Sequence, residues 1–147
     1  MDTSSVSKFG VLFNLVLSHF VSKHFVVSEV HINGLLQTVT MDIQTFGYKI
    51  PGAHKEFVAK GYTIIDCRVL PNPWRQPELR ELQGTDPRVF AFLQSTAPDI
   101  VEELLNEAFV AINANSTKIA FGCYGGKHRS VAMAQVFLHR MNPTLLD

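Results

Sequence analysis

The stretch Ile119-Ala120-Phe121-Gly122-Cys123-Tyr124-Gly125-Gly126-Lys127-His128-Arg129-Ser130 passes from an apolar run, through three glycines, to two cations. Its first part, Lys118 to Cys123, reads as a short strand. The residues after it, Arg129 to Met141, read as a helix with Val131, Ala134, Phe137 and Leu138 inward. A strand that runs through glycines into a helix brings several backbone N–H groups to one concavity, at the positive end of the helix dipole. Gly125 and Gly126 permit the dihedrals and close approaches that such a cradle needs. Arg129 offers a planar fork for phosphate oxygens, Lys127 a mobile charge, and Ser130 a hydroxyl that caps or donates. This is the pattern of an oxyanion site, phosphate first. It is not a Walker A loop: Gly122 sits one residue too close to Gly126-Lys127, and His128 follows the lysine where Ser or Thr belongs.

Working outward, Leu35 to Ile43 alternates, with Val39, Met41 and Ile43 on one face and Thr38, Thr40 and Asp42 on the other, as in a half-buried strand. Phe46 to Gly52 reads as a turn, Ala53 to Lys60 as a short helix stopped by Gly61, and Tyr62 to Leu70 as a buried strand cut off by Pro71-Asn72-Pro73. The chain then reads as loop to Gly84. Asp86-Pro87 is an N-cap with proline at the first helical position, opening a helix to about Gln94 that buries Val89, Phe90 and Leu93. Thr96-x-x-Asp99 resembles a second capping signal. The helix after it lays Ile100, Leu104 and Ala108 beside Val101, Leu105 and Ile112. Strands alternating with helices predict a single α/β domain over about residues 37–147, with a mixed or mostly parallel sheet flanked by helices. Residues 1–36 read as an N-terminal extension or packing helix. Within them Phe9 to Val21 is mostly apolar, yet broken by Asn14, Ser18 and His19 and too short to cross a bilayer, so no membrane role is expected.

The chain has 147 residues, 13 Lys plus Arg against 13 Asp plus Glu, and 46% hydrophobic residues. That excludes intrinsic disorder and a globally basic nucleic-acid binder. The neutrality is a sum of unlike parts. Asp99 to Glu107 carries four acids and no base, whereas Ala108 to Leu146 carries no acid and includes Lys118, Lys127, Arg129 and Arg140. A local positive site around Lys127 and Arg129 therefore calls for an anionic partner. Two cysteines, Cys67 and Cys123, exclude a disulfide scaffold and suit a reducing, cytoplasmic compartment. His19, His24, His31 and His54 lack ligand spacing, so no metal and no cofactor are expected.

Cys123-x-x-Gly126-x-x-Arg129-Ser130 also matches the loop of cysteine-dependent phosphatases, in which a thiolate attacks phosphorus while amides and the arginine hold the other oxygens. Gly122 stands where those enzymes have His. The alternative for Cys123 is a small buried residue at a strand end. His128 either assists proton transfer or hydrogen-bonds the loop, the second being favoured.

Five further stretches, in order, complete a pattern: Thr45-Phe46-Gly47-Tyr48-Lys49, Asp66-Cys67-Arg68-Val69-Leu70-Pro71-Asn72-Pro73, Pro77-Glu78-Leu79-Arg80, Gly84-x-Asp86 and Ala91-Phe92-Leu93. With Gly122 to Val131 they resemble the C-terminal domain of the RNase adapter protein RapZ, over about residues 38–138. The resemblance implies a non-catalytic regulatory domain that binds an amino-sugar phosphate or another small phosphorylated ligand and passes that state to RNA and protein partners. It implies a ligand pocket at Gly122 to Ser130, surrounded by Asp66, Arg68, Asn72, Trp74 and Arg80, and a homodimer by analogy. An internal Asp66–Arg68 salt bridge is the competing role for that pair. The family's nucleotide-binding N-terminal half has no counterpart in this sequence, and Asp147 precedes the family's final basic segment. Tyr124 stands where members commonly have Thr, and Trp74 where enterobacterial members have His. RNA binding through the basic C-terminal stretch is a third reading.

Overall fold

A computed structural model describes residues 12–15, 22–32 and 35–141, with side chains over 41–141. Five strands, β1 (Leu12–Leu15), β2 (Ser22–Ile32), β3 (Leu35–Gly47), β4 (Thr63–Asp66) and β5 (Lys118–Cys123), form one sheet in the order β1-β2-β3-β5-β4. The pairs β1–β2 and β2–β3 are antiparallel, and β3–β5 and β4–β5 are parallel. The helices are α1 (Ala53–Ala59), α2 (Pro87–Thr96), α3 (Pro98–Asn113) and α4 (Arg129–Met141), with 3-10 turns at Cys67–Val69 and Pro73–Arg75. The α/β class and the mixed, partly parallel sheet are as the sequence predicts.

β5 is buried along its length after Lys118, as a central parallel strand should be. On one side Ile43, Ile65, Ile119 and Phe121 meet Leu93 of α2, Leu105 of α3 and Phe137 of α4 in one core. On the other side α1 buries no residue fully, and an aromatic group (Phe46, Tyr48, His54, Phe57, Tyr62) fills the space with ring centroids 4.9–6.1 Å apart. The acidic face of α3 is partly neutralised from α4: Arg140 makes a bidentate pair with Glu102, at 2.7 and 2.9 Å.

Four sequence expectations change. Where residues 1–36 are described they are strand, not helix: β2, rich in β-branched residues, pairs with β3 from Ile32↔Leu35 to Ser22↔Gln44, and the domain boundary at 36/37 falls inside β3. The rest of Phe9 to Val21 lies outside the described residues. β3 continues to Gly47, because Phe46 and Gly47 pair with Gly122 and Cys123. β4 stops at Asp66: its carboxylate accepts from Arg68 N at 3.0 Å and folds the chain into a 3-10 turn. Thr96 does not cap α3. Its hydroxyl donates to Phe92 O within α2, and α3 starts from Ala97 with Pro98 in its first turn.

Candidate functional site

Because β3, β5 and β4 are parallel, their C-terminal ends, at Gly47, Cys123 and Asp66, lie along one sheet edge. The chain passes from β3 to β4 on the far side of β5, then returns to the middle, so the direction of strand addition reverses here. Crevices in open α/β sheets form at such points.

The β5–α4 loop is clamped to the end of β3. Tyr48 N donates to Cys123 O at 2.9 Å and Lys49 N to Tyr124 O at 3.0 Å. Gly126 has φ +73°, and a Cβ there would lie 2.8 Å from Gly47 N; a Cβ on Gly47 would lie 2.8 Å from the Gly125 carbonyl carbon. These two glycines make a backbone-on-backbone contact that no side chain would admit. Gly122 serves packing instead, lying under the Phe46 ring with 2.3 Å for any Cβ. At Gly125 a Cβ would meet nothing within 4 Å.

Three basic residues then tie the loop to the segment after β4. Arg129, 7% exposed at the start of α4, donates through one guanidinium nitrogen to Arg68 O at 3.2 Å and Leu70 O at 3.1 Å. Its Nε is buried and has no hydrogen-bond partner among the described residues. His128, 5% exposed, pairs its Nε2 with Leu82 O at 2.8 Å, which makes that nitrogen the donor in the neutral ring. Burial holds its pKa below the ordinary histidine value, against the opposing effect of that bond. The bond ties the ring to the segment between β4 and α2. Lys127 Nζ donates to Arg80 O at 3.2 Å, and Gly84 N to Lys127 O at 3.1 Å.

Beside the loop opens a cleft of about 550 Å³. Of the predicted loop residues, Cys123, Tyr124, Gly125, Lys127, His128 and Arg129 line it. Asn72 and Trp74 join them from the Pro73–Arg75 turn. Lys49 completes the lining; sequence reasoning quoted it within a motif without naming it as a site residue, although its place two residues past the end of β3 carries that signal. The lining includes Lys49, Lys127 and Arg129 and no acid. Glu81 is 4.0 Å from Lys127 Nζ, outside the lining.

The other predicted residues take supporting places. Gly122 and Gly126 shape the loop from behind. Ser130 is fully buried and accepts from the Cys123 thiol at 3.3 Å. Cys123 is 2% exposed, and Cys67 beyond β4 is buried outright, which pushes its thiol pKa well above the ordinary value. Asp66 and Arg68 close on each other through two side-chain bonds, at 2.9 and 2.8 Å, with the guanidinium 3.5 Å from the centre of the Tyr48 ring. That hydrogen bonding holds the Asp66 carboxyl below its ordinary range. Arg80 lies over the Trp74 ring, 4.1 Å from its centroid, and donates from Nε to Trp74 O at 2.8 Å.

The whole arrangement, from β3 through α4, coincides with a known family: the model of the RapZ C-terminal domain matches residues 39–145. The chain belongs to the RapZ C-terminal domain family. Similar curated proteins include nucleotide-binding proteins of Nitrosomonas europaea (36% identical over 108 residues, 66% of this chain and 35% of the relative) and of Anaeromyxobacter sp. strain K (36% over 133 residues, 85% and 42%). Another is from Bifidobacterium adolescentis, 38% identical over 116 residues, 71% of this chain and 34% of the relative. The chain thus spans well under half the length of these relatives. Among the described residues, no helix is long and apolar enough to cross a membrane.

Proposed function

We propose that this RapZ C-terminal-type domain is a non-catalytic regulatory module that binds a small phosphorylated ligand in the cleft beside Tyr124 to Arg129. The observation that carries the reading is the cleft's charge: three basic side chains and no acid in the lining, with a buried Arg129 Nε lacking a partner. Backbone carbonyls hold the Arg129 guanidinium without neutralising its charge, so an anion in the cleft is its natural counterion. The start of α4 at Arg129 adds its dipole. A binding role suits Cys123 better than a nucleophile's, since its thiol is nearly buried and bonded to Ser130, and the lining carries no carboxylic acid to protonate a leaving group. A cytoplasmic setting and a homodimer remain part of the reading by resemblance to the family. RNA contact through the basic C-terminal stretch is supported less, because Arg140 is engaged by Glu102.

Calorimetric titration of the chain with inorganic phosphate, at low salt, tests the site. The double variant Lys49→Ala/Lys127→Ala removes two partly exposed cations without touching the core, and should weaken binding at least tenfold. Equal affinity in wild type and double variant would overturn the assignment.

A further inference from the structure

The anion-binding reading gives the chain's two cysteines no chemical role, yet the sheet brings them together. β4 and β5 run parallel with Asp66 opposite Gly122, and each cysteine is the next residue along its own chain. That register sets Cys67 beside Cys123. Ile65 and Phe121, paired two residues earlier, both enter the core under α2 to α4, so the period of two carries both thiols to the same side of the sheet. Both cysteines belong to that core, and the turn that begins at Cys67 packs against β5. Register neighbours on paired strands have Cα atoms about 5 Å apart, within the span of a disulfide. The two thiols differ in access. Cys123 lines the cleft, and its Sγ donates to Ser130 Oγ at 3.3 Å. Cys67 is sealed at 0% exposure, its Sγ directed to Ile65 O at 3.7 Å, and burial keeps that thiol protonated and inert by itself. A small oxidant entering the cleft therefore meets Cys123 first.

We propose that Cys67 and Cys123 form an intramolecular redox pair, in which a peroxide oxidises Cys123 from the cleft and Cys67 resolves the product to a disulfide. In the first step the Cys123 sulfur attacks one oxygen of hydrogen peroxide. The O–O bond breaks, the second oxygen leaves as water with the thiol proton, and Cys123 becomes a sulfenic acid. In the second step the Cys67 sulfur displaces the hydroxyl. The S–S bond forms, the S–O bond breaks, and the Cys67 proton departs with the hydroxyl as a second water. One peroxide takes up two electrons, one from each sulfur. The bond acts on the anion site, because it takes Cys123 Sγ from Ser130 and draws on the turn after β4. That segment supplies Arg68 O and Leu70 O, which hold the Arg129 guanidinium. Oxidation thus weakens anion binding, and this coupling alone rests on the phospholigand reading.

Trypsin separates the pair, since Cys67 falls in the peptide Gly61 to Arg68 and Cys123 in Ile119 to Lys127. The full chain is treated with excess hydrogen peroxide, remaining thiols are alkylated, and the unreduced digest is read by mass spectrometry. The expected product is these two peptides joined, two hydrogens lighter than their sum, from monomeric chain. Cys67→Ser should stop at a Cys123 sulfenic acid that dimedone traps, and Cys123→Ser should leave Cys67 unoxidised. Calorimetry with inorganic phosphate should show affinity falling about tenfold in the oxidised chain and returning with dithiothreitol. Two free thiols after treatment, Cys123 carried to sulfinic acid in wild type without a cross-link, or a disulfide only between chains overturns the pair. A cross-link that leaves phosphate affinity unchanged overturns the coupling. Absence of phosphate binding to the reduced chain sinks the anion reading, while the cross-link still decides the redox pair.

Discussion

The ends of β4 and β5 are neighbours on one sheet edge, and both lead into arginines, yet they handle charge in opposite ways. After β4, Arg68 is closed by Asp66 two residues earlier, and the same Asp-x-Arg clamp recurs at Asp86–Arg88 before α2. After β5 the cations have no such clamp: Lys127 bonds the Arg80 carbonyl with exposed Glu81 only at 4.0 Å, and Arg129 bonds backbone carbonyls alone, both lining the cleft. A backbone carbonyl satisfies an N–H without neutralising its charge. Arginine count therefore says little about where an anion binds, whereas the partner of each guanidinium says much.

The largest expected effect comes from breaking the rigid side of the β5 end. Gly126→Ala forces a side chain into positive φ and against Gly47 N, and should destabilise the chain by about 3 kcal/mol in urea unfolding. Gly125→Ala, with open space around its Cβ, should stay within about 0.5 kcal/mol while weakening phosphate binding. Similar losses of stability in both variants would mean that the loop is not divided into a clamped and an open half.

The next contrast sets the two arginines against each other. Arg129→Lys keeps a charge but forfeits the bonds to Arg68 O and Leu70 O, and should cost about 2 kcal/mol together with a clear loss of anion affinity. Asp66→Asn opens the exposed clamp at β4 for at most about 1 kcal/mol and should change phosphate affinity less than twofold. A large affinity change in the Asp66 variant would mean that the β4 clamp belongs to the site.

The smallest effect is a pH slope. Burial depresses the folded-state pKa of His128 below 6.5, so the unfolded chain binds the proton more readily. Its contribution to stability is complete above about pH 6.5 and is lost as the pH falls through the lower folded value. His139, also depressed by burial, acts in the same direction. His128→Gln should flatten the fall in unfolding free energy between neutral and mildly acidic pH; an unchanged slope would remove His128 from the account.

Sequence made the β5–α4 passage legible because its signals are local: an apolar run, glycines, then inward residues at helical spacing. Asp86-Pro87 was legible for the same reason, and Asp86 does accept from Arg88 N at 3.0 Å. What escaped was set by distant partners. Gly47 reads as a turn residue until β5 arrives to pair with it, and Lys49 enters the site only because its amide meets Tyr124 O. Asp66 to Leu70 carries strand-like residues, but one carboxylate bends the chain away. Asn33-Gly34 is the residue pair that two-residue hairpins favour, a local signal for pairing of the segments on either side of it.

The position of β5 has a consequence for the order of assembly. In the parallel part of the sheet, β3 and β4 each pair with β5 and not with each other, and β5 is the last of the three in sequence. During synthesis neither early strand can complete its ladder there until residues 118–123 insert between them, and the same segment delivers the loop that walls the cleft. Such late, long-range closure is slow, and it leaves two strand edges exposed while the chain waits. Sheet and cleft are thus completed in a single event, so a nascent chain has no interval in which a finished site sits on an unfinished sheet.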